Sequence, residues 1–296
     1  MNHLDQQYLR IIDDILQMPD VAMSGDRTGV GTSRVFNRHI DVAIDQFFPI
    51  LHCKRVNWKS AFTEMLWMLS GSTNIQPLLL DGVHIWSDWP YKKYIDRDLT
   101  GEHNISMEKF EQLILESNSF AKQWGDLGPV YGKQWRDWDG IDQIEVAVKQ
   151  LLETPNSRRI IIEGWNVPQL DDMALPPCHK TYQFLVNHGE LNLTIYQRSA
   201  DMFLGVPFNL CNGGLMLHLM AATVGLRVGR LHWFGADCHL YNNHKKLAEK
   251  MLLRDALPND AKFYMSTLTD IDNVEISDIH IEEYTPHAAI SAPVAV

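Results

Sequence analysis

The sequence predicts an α+β fold in one domain, residues 1 to 296, and three observations predict it. Helix-patterned and strand-patterned segments are both present. No internal repeat, low-complexity tract or linker divides the chain. With 296 residues, 45% hydrophobic and 21% charged, it can bury a full core.

In order along the chain, residues 3 to 18 place Leu4, Tyr8, Ile11, Ile12, Ile15 and Leu16 at helical spacing, which core packing explains fully. The glycine-rich turn from Ser24 to Thr32 carries one arginine, Arg27, and precedes a strand-like stretch over 33 to 42. By itself such a loop is weak evidence of a ligand. Residues 58 to 70 form a strongly apolar helix stopped at Gly71, with a single acid, Glu64, among Phe62, Met65, Leu66, Trp67 and Met68. That acid must be paired, shifted in pKa or exposed. Residues 84 to 135 mix aromatic and charged side chains, and their middle, at about 90 to 122, is polar and poorly periodic, an inserted, variable helical subregion. A helix near 141 to 153 leads to Arg158 and Arg159 at the mouth of a strand over 160 to 165, where paired arginines ordinarily just solvate the chain. Strands over 182 to 186 and 191 to 196 bracket a turn at His188-Gly189-Glu190, and residues 210 to 224 form the most apolar helix, ended by Gly225.

The formal net charge of -11 disfavours a nucleic-acid backbone as ligand, so any bound anion must meet a local basic pocket. The four cysteines, at 53, 178, 211 and 238, show neither a CxxC pair nor metal-ligand spacing, and no metal is expected. Neither a signal-type N-terminus nor an apolar run of spanning length is present. These features predict free thiols in a cytoplasmic setting (host cytoplasm if the chain is viral) and no membrane partner.

Most of the chemistry is concentrated in two stretches. Pro176-Pro177-Cys178-His179 holds a cysteine behind two prolines outside any helical pattern, and Gln197-Arg198-Ser199-Ala200-Asp201 continues through Leu204 and Gly205 to Pro207-Phe208-Asn209. An isolated cysteine is ordinarily a small buried hydrophobe. Beside an arginine, a serine, an aspartate and a prolyl-framed asparagine, a nucleophile with polar anchors is the better reading.

Taken with Asp26-Arg27-Thr28-Gly29, Glu64-Met65-Leu66-Trp67, Gly128-Pro129-Val130-Tyr131-Gly132, Ser157-Arg158-Arg159, His239-Leu240-Tyr241 and the tail Ala292-Pro293-Val294-Ala295-Val296, these stretches resemble the thymidylate synthase family over nearly the whole chain. The resemblance implies a large mixed sheet packed by helices, a sheet-to-sheet homodimer, and transfer of a one-carbon unit from 5,10-methylenetetrahydrofolate to C5 of dUMP, with reduction to dTMP. It implies that Cys178 adds to C6 of the base, with Arg198 lowering the thiol's pKa. Arg27, Arg198 and Ser199 would bind the phosphate, with Arg158 and Arg159 reaching in from the partner. His239 and Tyr241 would meet the sugar hydroxyl. Gln197 falls among the substrate-binding residues, and Asn209 would read uracil, since its amide suits O4 and N3–H, whereas an Asp stands there in family members that act on cytosine nucleotides. Glu64 would relay protons to O4, Tyr131 would serve removal of the C5 proton, and His179 the surrounding water. Folate would lie against Ile85, Trp86, Trp89, Leu204, Gly205 and Phe208, with Asp201 on the pterin, Lys54 toward the glutamate tail and Ala295 in the closing tail.

Departures from the usual family pattern are Glu163-Gly164 for a small-residue pair, Asn212-Gly213 for a Ser-Tyr type pair, Asn57 for His, Ser87 for an acid and Ala236 for a glycine. None removes a catalytic group. They keep open a dUMP hydroxymethylase, in which water adds to the methylene intermediate and releases tetrahydrofolate. Trp86 and the closing tail favour hydride transfer. An inactive RNA-binding or structural paralogue is the remote alternative, against which the intact nucleophile and arginines argue.

Overall fold

In the computed structural model, residues 2–20, 28–97, 105–266 and 271–294 are described. Helix α1 (His3–Leu16) buries the predicted stripe, and the Asn2 side chain caps it by accepting from the Asp5 N–H. Strand β1 (Thr32–Ala43) follows, then α2 (Trp58–Leu69), which ends before Gly71 at φ +77°. Between α2 and the next strand lie short helices: α3 (Gln76–Leu80), α4 (Asp88–Asp96), α5 (Met107–Glu116), α6 (Asn118–Trp124), α7 (Tyr131–Arg136) and α8 (Gln143–Glu153). The segment that reads as poorly periodic is thus helical where described. Its helices are too short to repeat a pattern and are held by a cluster of Tyr91, Tyr94, Phe110, Phe120 and Trp124 rings.

The rest of the chain is β2 (Ile161–Glu163), β3 (His179–Asn187), β4 (Glu190–Asp201), α9 (Gly205–Val224), β5 (Arg227–Tyr241), α10 (Lys245–Leu252), β6 (Lys262–Met265) and β7 (Ile279–Glu282). The main sheet has five strands in the order β1-β5-β4-β3-β2. Only β4 and β5 run parallel, which makes it a mixed sheet. One face is buried: Ile162, Tyr182, Phe184, Leu193, Ile195, Leu231 and Trp233 are sealed from solvent. The opposite face leaves Ile161, Leu185, Tyr196 and Phe234 exposed, with the last two rings stacked.

Three boundaries differ from the sequence reading. Helix α9 starts at Gly205 and not at 210, because Pro207 lies in its first turn, where the missing N–H has no helical acceptor to lose. Strand β2 stops at Glu163, whose carboxylate takes the N–H groups of Gly164 and Trp165 (3.1 and 3.0 Å) and turns the chain out of the sheet. The β3–β4 turn uses only His188 and Gly189, both at positive φ, and Glu190 already pairs with Asn187. Strand β5, the partner of both β1 and β4, is not foreseen by the sequence pattern at all.

Candidate active site

The loop before β3 presents Cys178 half-buried, and it is built by Arg198. The Arg198 N–H donates to the Cys178 carbonyl (2.8 Å), and its guanidinium donates to the carbonyls of Pro177 and Pro176 (2.9 and 2.7 Å). This leaves Nη2 4.0 Å from the Cys178 Sγ. The Trp165 ring lies 4.9 Å from the guanidinium carbon and fixes its plane. On the other side, the Cys178 N–H donates to the Tyr131 phenol oxygen (2.7 Å). Tyr131 opens α7 after a tight turn at Gly128, where φ is +76° and a Cβ would sit 2.0 Å from the Asp172 carbonyl oxygen.

Strand register brings the polar string together. Gln197, opposite His179 in the sheet, is buried; its Oε1 accepts from Trp233 Nε1 (2.8 Å), and its Nε2 donates to the Ser199 carbonyl (3.0 Å) and to Asn209 Oδ1 (2.9 Å). Asn209, in the first turns of α9, therefore has its amide orientation set, and Nδ2 is its uncommitted donor among the described residues. Ser199 and Asp201 pair with Asp237 and His239 of β5. His239 meets the Asp237 carboxylate (3.2 Å) and the edge of Tyr241. The Asp201 Oδ1 accepts from the N–H groups of Phe203 and Leu204 (2.9 and 3.2 Å), which forms the bend into α9 and leaves Oδ2 outside these bonds.

Glu64 is the buried acid at the other end. Its Oε1 accepts from Trp86 Nε1 and its Oε2 from Asn212 Nδ2, each at 2.9 Å. Burial pushes its carboxyl up to about 7, against the two hydrogen bonds, which favour the ionised form. A run of rings joins the two ends: Trp89 on Trp86, Trp86 against Tyr131, and Tyr131 stacked on His179 at 4.4 Å. His179 is held neutral by burial, its value down at about 3, and its Nδ1 is 3.0 Å from the Tyr182 hydroxyl. The site thus offers a thiol beside a cation, an oriented amide and a carboxyl that exchanges its proton near neutrality. No group of three or more His, Cys, Asp or Glu suited to a metal occurs among the described residues.

A family model described as thymidylate synthase matches residues 6–296. The chain belongs to the thymidylate synthase family. A thymidylate synthase of Rhodopseudomonas palustris (strain BisA53) is 46% identical to it over 303 residues, covering 100% of both chains. Those of Sinorhizobium fredii (strain NBRC 101917 / NGR234) and Zymomonas mobilis subsp. mobilis (strain ATCC 31821 / ZM4 / CP4) are 44% and 45% identical, each over 99% of both chains.

Against the residues that the family resemblance assigns, the structure groups Cys178, Arg198, Tyr131 and His179 in one cluster, Gln197 with Asn209 in a second, and Glu64 with Trp86 in a third. Leu204, Gly205 and Phe208 are partly buried at the start of α9, Trp89 lies against Trp86, and Ile85 is exposed. Lys54 is buried and turned inward, donating to the Phe203 carbonyl with its ammonium over that residue's ring. Burial brings it down to about 8, with Asp201 opposing. Arg158 and Arg159 are exposed just before β2 and make no ion pair among the described residues. Arg27 and Ala295 lie outside the described residues. Sequence reasoning passed over Trp165 and Tyr182, the supports of Arg198 and His179. Both read as strand aromatics, and only their alternation next to the cysteine loop sets them apart.

Proposed function

We propose that the chain catalyses the thymidylate synthase reaction, transferring the one-carbon unit of 5,10-methylenetetrahydrofolate to C5 of dUMP, with reduction, to yield dTMP and dihydrofolate. The observation that carries the reading is the 4.0 Å approach of Arg198 to the Cys178 sulfur on a loop whose backbone Tyr131 and Arg198 both hold. A thiolate there adds to C6 of the uracil ring, which makes C5 nucleophilic. Asn209 reads O4 and N3–H, and Glu64 passes a proton toward O4. Arg27, Arg198 and Ser199 take the phosphate and His239 and Tyr241 the sugar, while Trp86, Trp89, Leu204 and Phe208 form the shelf for the folate, with the Asp201 carboxylate as its polar anchor. Lys54 would have to leave the Phe203 carbonyl to reach a glutamate tail.

The homodimer belongs to the same proposal. The open sheet face with Ile161, Leu185, Tyr196 and Phe234 supports it, and so do Arg158 and Arg159, which are exposed just before β2 and make no ion pair among the described residues. Reduction is favoured over hydration of the intermediate by the buried Trp86–Tyr131 wall and by the full-length relatives named thymidylate synthase. A cytoplasmic setting fits a chain in which no described helix is long and apolar enough to cross a membrane. The test is to incubate the protein with dUMP and 5,10-methylenetetrahydrofolate and weigh the nucleotide. A product one oxygen heavier than dTMP, with no dihydrofolate formed, would overturn the reading in favour of the hydroxymethylase.

A further inference from the structure

Asn212 stands fully buried at 0% exposure one helical turn after Asn209. Its Nδ2 is committed to Glu64 Oε2, and its Oδ1 is buried without a partner among the described residues. The Glu64 carboxyl makes no salt bridge among the described residues. The titratable groups facing it, the Tyr131 and Tyr182 phenols and the Cys211 thiol, are kept neutral by burial. Its hold therefore comes from two neutral donors, and the two are not equivalent. The Trp86 indole can only donate, so it serves the carboxylate and has nothing to offer a carboxylic acid proton. An amide carries both functions on one planar group.

We propose that Asn212 is a positioning residue for Glu64 that holds the carboxyl in both of its protonation states. It donates through Nδ2 to the carboxylate and, after a half-turn of the amide, accepts through Oδ1 from the protonated acid. This rests on the reading of Glu64 as proton relay. The proton that Glu64 takes up or gives away is matched by rotation of the amide, and the carboxyl stays in place between Trp86 and α9. The swap is open to Asn212 because its Oδ1 has no bond to another residue to break.

The experiment compares Asn212→Leu, which keeps the volume and loses both functions, with Asn212→Ser, whose hydroxyl can donate and accept. Asn212→Ala takes the place of the leucine variant if that one does not fold. Glu64 is titrated by carbon-13 NMR in the unliganded protein, and kcat is followed against pH with dUMP and 5,10-methylenetetrahydrofolate. The charge-assisted bond to the carboxylate is stronger than the neutral one to the acid, so losing both in Asn212→Leu should raise the Glu64 midpoint by about one pH unit. The alkaline limb of kcat should move up by the same interval, and kcat at its optimum should fall about tenfold with the KM for dUMP unchanged. Asn212→Ser should restore both to near wild type. A leucine variant that titrates like wild type, or a serine variant that behaves like the leucine one, overturns the proposal. If the wild-type protein does not turn over dUMP, the functional reading fails instead, and the NMR titration still decides the role of Asn212.

Discussion

A single methyl group added at Gly213 tests how closely α9 is seated on the sheet. A Cβ there would lie 2.5 Å from Ile195 Cδ1 and 3.2 Å from Leu231 Cδ1. Carbon atoms pack at about 3.5–4.0 Å, so Ile195 would have to yield by roughly 1 Å. Overpacking of a filled core costs about 1–3 kcal/mol, against about 0.8–1.0 kcal/mol gained when Ala replaces Gly inside a helix. Gly213→Ala should therefore destabilise by a net amount of up to about 2 kcal/mol. Ile195→Val removes the offending Cδ1 and alone costs about 0.5–1.5 kcal/mol for the lost burial. Combined, each change corrects the other, and the double variant should return to near wild-type stability, with a favourable coupling equal to the sum of the two single losses, about 0.5–3.5 kcal/mol. Urea unfolding followed by tryptophan fluorescence measures all four proteins, at one fixed protein concentration because assembly would add to apparent stability. Since Asn209 and Asn212 ride on the same helix, kcat should fall about tenfold or more in Gly213→Ala and recover in the double variant. Strictly additive losses, or a Gly213→Ala protein as stable and active as wild type, would refute the seating.

Three further outcomes follow from the site. Cys178→Ala should keep its far-UV circular dichroism and its binding of dUMP in calorimetry, yet lose at least about a thousandfold in turnover, and retained turnover would exclude covalent catalysis. In Asn209→Asp the discrimination between dCMP and dUMP, read as the ratio of kcat/KM, should shift toward dCMP by about a hundredfold or more; an unchanged ratio would place base reading elsewhere. Glu64 sits at about 7 when folded against 4.5 as its ordinary value, so at low pH it is protonated in both states and imposes no penalty. As pH rises from 4.5 through 7 the unfolded state ionises this carboxyl while the folded state still holds its proton, and the fold loses about 3 kcal/mol, so the stability of Glu64→Gln relative to wild type, measured by urea unfolding, should climb by that amount over the same window.

The sequence carried the helices with a long apolar stripe, α1, α2, α8 and α9, to within a few residues, because their period is repeated often enough to be read. It missed β5, whose fifteen residues include Gly229 and Gly235 and whose exposed positions alternate irregularly, since it is shared between β1 and β4 and bends as it passes. In the site, the chemistry-bearing types were legible by their company: a prolyl-framed cysteine, an arginine nearby, an acid in an apolar helix. What holds them was not. Trp165 under Arg198, Tyr182 against His179 and Gln197 on Asn209 are contacts made by strand register and by the bend into α9, which no local pattern encodes.

The same register gives one protein of net charge -11 two opposite electrostatic environments side by side. At the cysteine end the guanidinium, which favours negative charge, sits 4.0 Å from the sulfur and is itself pinned by the carbonyls of Pro177 and Pro176. At the Glu64 end the partners among the described residues are an indole and an amide, with no cation, and their hydrogen bonds fall short of the cost of burying a charge and leave the carboxyl balanced near neutrality. Exchanging the two environments would reverse both, for an arginine beside Glu64 would hold its carboxyl ionised. A neutral group at position 212 is therefore required on electrostatic grounds. A basic residue there, as in Asn212→Lys, should lock Glu64 in its ionised form and abolish turnover while dUMP still binds.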